Sequence, residues 1–244
     1  MRLIGFEMLS MLRRRIKNPL GLAFEGMMVG CFLLLIERVL ENAGDMAIAT
    51  RQVMFISSVL ALPALQGLYR MLSEELSSGT AETLFQVDKG PLVALIARDV
   101  SSVSSMALIL PFVLVPMRFS RCFDMSLYVR YTAPILMMRL GMLGMGTILG
   151  SLTLMFRKTA AVVNVSSIIM VTTSLGVGIG KGFLNSFAMM TPNGLLAVMM
   201  QNGRKPSSMI LPLALVSALW IALGLMAYNF TIRRAKRFGF LISN

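Results

Sequence analysis

The sequence predicts an all-α integral membrane protein with six transmembrane helices, and three observations carry the prediction. Hydrophobic residues fill 56% of the 244 positions and charged residues only 14%, against about 25% charged in a soluble domain. Six apolar runs approach or exceed the roughly 20 residues that a hydrocarbon core requires. Lys and Arg outnumber Asp and Glu by 23 to 11, and many of them flank those runs. The net charge of +12 therefore reads as contact with an anionic membrane surface rather than with nucleic acid.

The runs are 19–36, 53–72, 100–117, 132–156, 160–180 and 208–230. Pro63, Pro111, Pro134 and Pro212 lie within them, which lipid-buried helices tolerate where neighbouring groups take up the freed carbonyls. Ahead of the first run, residues 2–17 read as an interfacial amphipathic helix. Leu3, Phe6, Leu9 and Ile16 share an apolar side, and Arg13 to Arg15 reach headgroups. The polar stretch 73–90 separates runs two and three. Residues 183–203 are apolar but broken at Thr191-Pro192-Asn193-Gly194, and read as a short re-entrant element that is safe at membrane depth only if packed in protein. No internal repeat divides residues 1–244, so they form a single transmembrane domain.

Basic residues set the orientation. With the N-terminus inside, 14 Lys and Arg fall on inner flanks and 8 on outer ones, Arg139 lying within a span. Both termini are expected in the cytoplasm, which places 73–90 inside and 183–203 in the outer leaflet.

Composition narrows the chemistry. There is no His, so the usual general base and metal ligand are missing; no catalytic or metal residue is assigned. Cys31 and Cys122 stand far apart, without metal or disulfide-framework spacing. In Gly176-Val-Gly-Ile-Gly-Lys-Gly182, Leu175 and Gly182 break the phosphate-loop pattern, so no nucleotide site is expected on this chain. The 23 methionines read as flexible packing material. Gly26/Gly30, Gly146/Gly150 and Gly176/Gly180 have the small-xxx-small spacing of closely packed membrane helices.

Polar residues inside the runs are candidates for a substrate pathway or for helix-to-helix glue. They are Glu25 in the first run, Gln66 and Tyr69 in the second, and Asn164, Ser167 and Ser174 on one face of the fifth. Arg139 is expected nearer the outer leaflet, with Glu37 its partner by depth.

Ser73-Glu-Glu-Leu-Ser-Ser-Gly-Thr-Ala-Glu-Thr-Leu-Phe85 holds three of the eleven carboxylates. Ser73 suits the cap of a short helix with Glu75 and Leu76 in its first turn and Gly79 at its end. A second short helix is expected from Thr80, with Glu82 in its first turn and Leu84 and Phe85 as apolar anchors. Such a segment either docks in a groove on a soluble partner or is a solvated loop.

The stretch 69–98, YRMLSEELSSGTAETLFQVDKGPLVALIAR, resembles the region between spans two and three of type-2 ABC transporter permeases. The matching residues are Glu75, Gly79, Thr80, Glu82, Leu84 and Pro91, with Phe85 where a second Leu is more usual. The six spans, the N-terminal interfacial helix and the Pro-containing element before the last span match the same architecture. The resemblance implies that 73–90 is a cytoplasmic coupling helix docking on a separate ATPase subunit through Glu74, Glu75, Gly79, Thr80, Glu82, Leu84 and Phe85. It implies two permeases with two ATPases, ATP and Mg on the partner, and an amphipathic cargo (drug, lipid, peptide or lipid-linked glycan) exported across the cytoplasmic membrane of a prokaryote. This chain would be a transport subunit and not itself an enzyme. An ion- or proton-coupled carrier and a non-transporting membrane assembly factor are the alternatives.

Overall fold

The computed structural model describes residues 16–40, 45–78, 90–120, 124–153, 159–174 and 189–238, with positions 9, 13, 156 and 186. Among these, every regular element is a helix: α1 (Pro19–Val39), α2 (Asp45–Ser78), α3 (Gly90–Met117), α4 (Met125–Thr153), α5 (Ala160–Ser174), α6 (Pro192–Gln201) and α7 (Pro206–Phe238). The helices α1, α2, α4 and α7 are long and apolar enough to cross a membrane, which fits a helical membrane protein. At 1.5 Å per residue, the 28-residue α3 is about 42 Å long and the 15-residue α5 about 22 Å.

Local sequence sets the helix ends. Asn18 caps α1 by accepting from the Gly21 amide at 3.1 Å, with Pro19 in the first turn. Asp124 starts α4. Its carboxylate accepts from the Ser126 amide at 2.8 Å and hydroxyl at 3.1 Å, and those bonds hold its pKa below the ordinary carboxylate value. Thr191 and Pro192 open α6 in the same way as Asn18 and Pro19 open α1. Gly203, at φ +64°, closes α6: its amide bonds Met200 O at 3.0 Å and the Arg204 amide bonds Met199 O at 3.1 Å. That is the pattern for which a left-handed residue is required.

Glycines set the packing. A Cβ on Gly26 would lie 2.5 Å from Phe112 Cβ, and one on Gly30 would strike Pro116. The first small-xxx-small pair thus seats α1 on α3. The second seats α4 on α2, Gly146 against the Ala64 and Leu65 carbonyls and Gly150 against Leu68. Gly141 meets Ser217, and Gly144 meets the Trp220 backbone at 2.5 Å, bringing α7 against α4. In each pair the residue numbers rise together, so α1 runs parallel to α3, and α2, α4 and α7 run parallel to one another. The pair α2 and α3 is antiparallel: Leu95 lies by Gly67, while Asp99 and Leu60 share one arginine. One end of the bundle therefore gathers the starts of α1 and α3 and the ends of α2, α4 and α7.

Methionine fills the main core. Met54, Met138, Met142, Met170, Met199, Met200 and Met209 pack with Val53, Leu65, Leu196 and Leu213. This is the adaptable packing expected of an unbranched thioether. A second cluster under α1 joins Leu22, Leu33, Ile109 and Val113.

Several boundaries differ from the sequence expectation. Neither a cap nor a break appears at Ser73, because α2 continues to Ser78; the apolar contacts of Met71 and Leu72 with α3 carry the helix past the polar residues. The helix α3 begins at Gly90, ten residues before the third apolar run, so Asp99 lies inside it. The helix α4 begins at Met125, which puts Arg139 at its midpoint, about 21 Å from either end, rather than near one surface. Of the 2–17 segment only positions 9, 13, 16 and 17 are described. Gly176 and Gly180 lie outside the described residues.

Candidate functional site

Two places in the fold collect the sequence candidates. The first is the end of the α2–α3 hairpin. Glu74 lies in the closing turns of α2, and Arg98 Nη1 reaches its carboxylate at 2.9 Å. Glu74 is 66% exposed and Arg98 26%, so the pair is a solvated tie between the two arms rather than a buried lock. Glu75, one residue further on, is half-buried, and Leu76 presents an exposed apolar side chain. The last turns of α2 thus offer the exposed Glu74 carboxylate and one aliphatic anchor, with Glu75 half-buried between them. Gly79, Thr80, Glu82, Leu84 and Phe85 lie outside the described residues.

The second place is mid-depth, where α2 meets α5. Gln66 Nε2 donates to Ser167 Oγ at 2.7 Å, and the Ser167 hydroxyl donates to Val163 O at 2.8 Å. The hydroxyl uses its one proton on its own helix and a lone pair on the next, which is a satisfied interhelical bond. Tyr69 is half-buried one turn along α2. Asn164 does not join them: it is exposed, three residues before the buried Ser167, because the narrow contact of α5 with α2 takes Val163, Ser167 and Met170 inward. Ser174 ends α5, and its side chain is outside the described residues. Glu25 lies on the exposed face of α1, away from Gly26 and Gly30, which face α3.

Above this contact α6 enters the bundle. Met190 O accepts from Trp220 Nε1 at 2.8 Å, about 21 Å along α7 from Pro206. Asn193 Nδ2 donates to Met170 O at 2.8 Å. At the far end Tyr131 Oη reaches Arg204 O at 3.4 Å, near the start of α4. The segment therefore rises from mid-bundle to the rim, and eight of its ten residues are buried. Of the expected 183–203 element, the described residues 191–194 and 196–200 are buried in protein.

Sequence reasoning missed Asp99. Its carboxylate accepts from Arg139 Nη2 at 2.6 Å, with the two side chains 14% and 5% exposed. The expected partner, Glu37, instead accepts from Ser120 Oγ at 2.5 Å at the other end of α1 and α3. The correction follows from α4 starting earlier than its apolar run, which moves Arg139 to the level of α3. One signal was present: Leu92-Val-Ala-Leu-Ile-Ala97 is apolar and continues the third run backwards through Asp99.

No protein-family model, curated protein or solved structure matches the chain.

Proposed function

We propose that this chain is the membrane-spanning subunit of an ATP-driven exporter resembling the type-2 ABC permeases, powered by a separate ATP-binding subunit and working beside a second permease. The observation that carries the reading is the α2–α3 hairpin. The exposed Glu74 stands in the closing turns of α2, where the acidic segment 73–90 begins, and the two arms are tied by Glu74 and Arg98. An antiparallel helix pair with an exposed acidic end is a lever that a soluble motor can grip.

Helix direction and charge support the same topology. In this reading α1, α2, α3, α4, α5 and α7 would be six alternating crossings, with both termini on the side where α2 ends and α3 begins. That side carries exposed Lys17, Arg70, Arg233 and Arg234, as expected of a cytoplasmic face. The buried α6 then belongs to the outer half. Apolar, Met-rich surfaces suit an amphipathic cargo passing between two permeases, with Gln66, Tyr69, Asn164 and Ser167 near its route.

The test is co-purification with an ATPase encoded beside this chain, followed by ATPase stimulation in vesicles. Glu75→Lys and Glu82→Lys are expected to abolish stimulation while the spans still insert. Unchanged stimulation in both removes the docking role. The buried Asp99–Arg139 pair favours a second reading, an ion- or proton-coupled carrier, because membrane-buried charges commonly mark ion or proton pathways. Transport that persists without any ATPase distinguishes it.

A further inference from the structure

We infer that Arg139 is a staple across the proline-weakened turn of α2, binding α2, α3 and α4 into one body at mid-depth. Pro63 has no amide hydrogen, so the Val59 carbonyl loses its helical donor, and the ring crowds that turn. The next carbonyl along, that of Leu60, accepts from Arg139 Nη1. Arg139 Nη2 meanwhile bonds Asp99 Oδ1 at 2.6 Å and Ser102 Oγ at 2.5 Å, with Asp99 O at 3.3 Å. The two arms of one planar guanidinium thus hold two different helices, a geometry that a lysine ammonium cannot reproduce.

A counter-ion for Asp99 would need only the Nη2 arm. The Nη1 contact is what the counter-ion role leaves unexplained, and it falls at the weakened turn. The surroundings make that turn consequential. Just below it, α2 touches α4 through glycine and backbone, at Gly146 against Ala64 and Leu65. Arg98, adjacent to Asp99 in sequence, makes the solvated tie to Glu74 towards the far end of α2, so the buried fastening of α3 to α2 near the proline falls to Arg139. In the proposed permease the staple would carry a displacement of the hairpin tip into α4 instead of letting α2 flex at Pro63. That purpose rests on the permease reading; the staple itself does not.

The experiment is hydrogen exchange on the purified full chain in lipid nanodiscs, read on peptides spanning 59–66. Arg139→Lys keeps the charge facing Asp99 but removes the fork. It is expected to speed exchange there about tenfold, the loss of one hydrogen bond to a charged group. Adding Pro63→Ala restores the missing backbone donor and is expected to return exchange to within about twofold of wild type. Asp99→Asn retains an acceptor for Nη2, so, once the chain-wide acceleration read on peptides of α7 is subtracted, it is expected to leave this turn as in wild type. Wild-type exchange in Arg139→Lys overturns the inference. So does acceleration that Pro63→Ala fails to reverse, or equal acceleration in Asp99→Asn beyond its chain-wide effect. If Arg139→Lys does not fold, Asp99→Asn/Arg139→Gln, which removes both charges, is read by the same criteria. These outcomes do not depend on any ATPase, so failure of the co-purification test and failure of the staple are separate results.

Discussion

Gln66 and Ser167 lie 101 positions apart in sequence and meet at 2.7 Å, making the one side-chain hydrogen bond between α2 and α5 among the described residues. Buried polar pairs of this kind in membrane proteins contribute about 0.6 kcal/mol on average. Ser167→Ala and Gln66→Ala are each expected to lower stability by about that amount, and the double variant to lose little more than either single one. A double-mutant cycle on thermal unfolding in detergent measures it. Full additivity would mean that the bond contributes nothing.

The Asp99–Arg139 pair behaves differently, because its partners cannot turn to water. Removing one partner of a buried pair costs about 3–5 kcal/mol. Arg139→Asp is expected to prevent stable folding, and Asp99→Arg in the same chain to recover part of the loss. Glu37→Arg is expected to rescue nothing, since Glu37 sits with Ser120 instead. Size-exclusion profiles of the three variants decide between the two carboxylates.

At the hairpin tip the expectation reverses. Glu74 and Arg98 are exposed enough that their pairing is worth about 0.2–1 kcal/mol and is screened by salt. Glu74→Gln should leave the melting temperature nearly unchanged. Its effect should appear in ATPase stimulation, and raising the salt concentration should mimic it in the wild type.

Two glycines predict opposite kinds of cost. At Gly146 a methyl group would meet the Leu65 carbonyl at 2.5 Å. Backbone cannot move aside as a side-chain tip can, so Gly146→Ala should cost about 1–3 kcal/mol. At Gly203 nothing lies within 4 Å, yet the left-handed backbone penalises any Cβ by about 1–2 kcal/mol. Gly203→Asn should recover part of that, whereas no residue larger than Gly should be tolerated at Gly146. Paired unfolding measurements separate steric from conformational cost.

Thr191→Ala should destabilise by about 1 kcal/mol, since the Gly194 amide then loses its 3.2 Å acceptor inside the bundle. Thr191→Ser should restore it.

Read as a linear string, the chain declares its solvent. Long apolar stretches and basic flanks were enough to predict a helical membrane protein, because hydrophobicity acts over neighbouring residues; the caps at Asn18 and Thr191 are equally local but were not read. Gly26/Gly30 and Gly146/Gly150 even announced that close contacts would form. Which helix each glycine touches, that Ser167 turns inward while Asn164 turns out, and that Arg139 belongs to Asp99 rather than Glu37 were settled only by assembly. A charge chooses its partner by depth and helix direction, and both depend on where distant segments begin and how they pack.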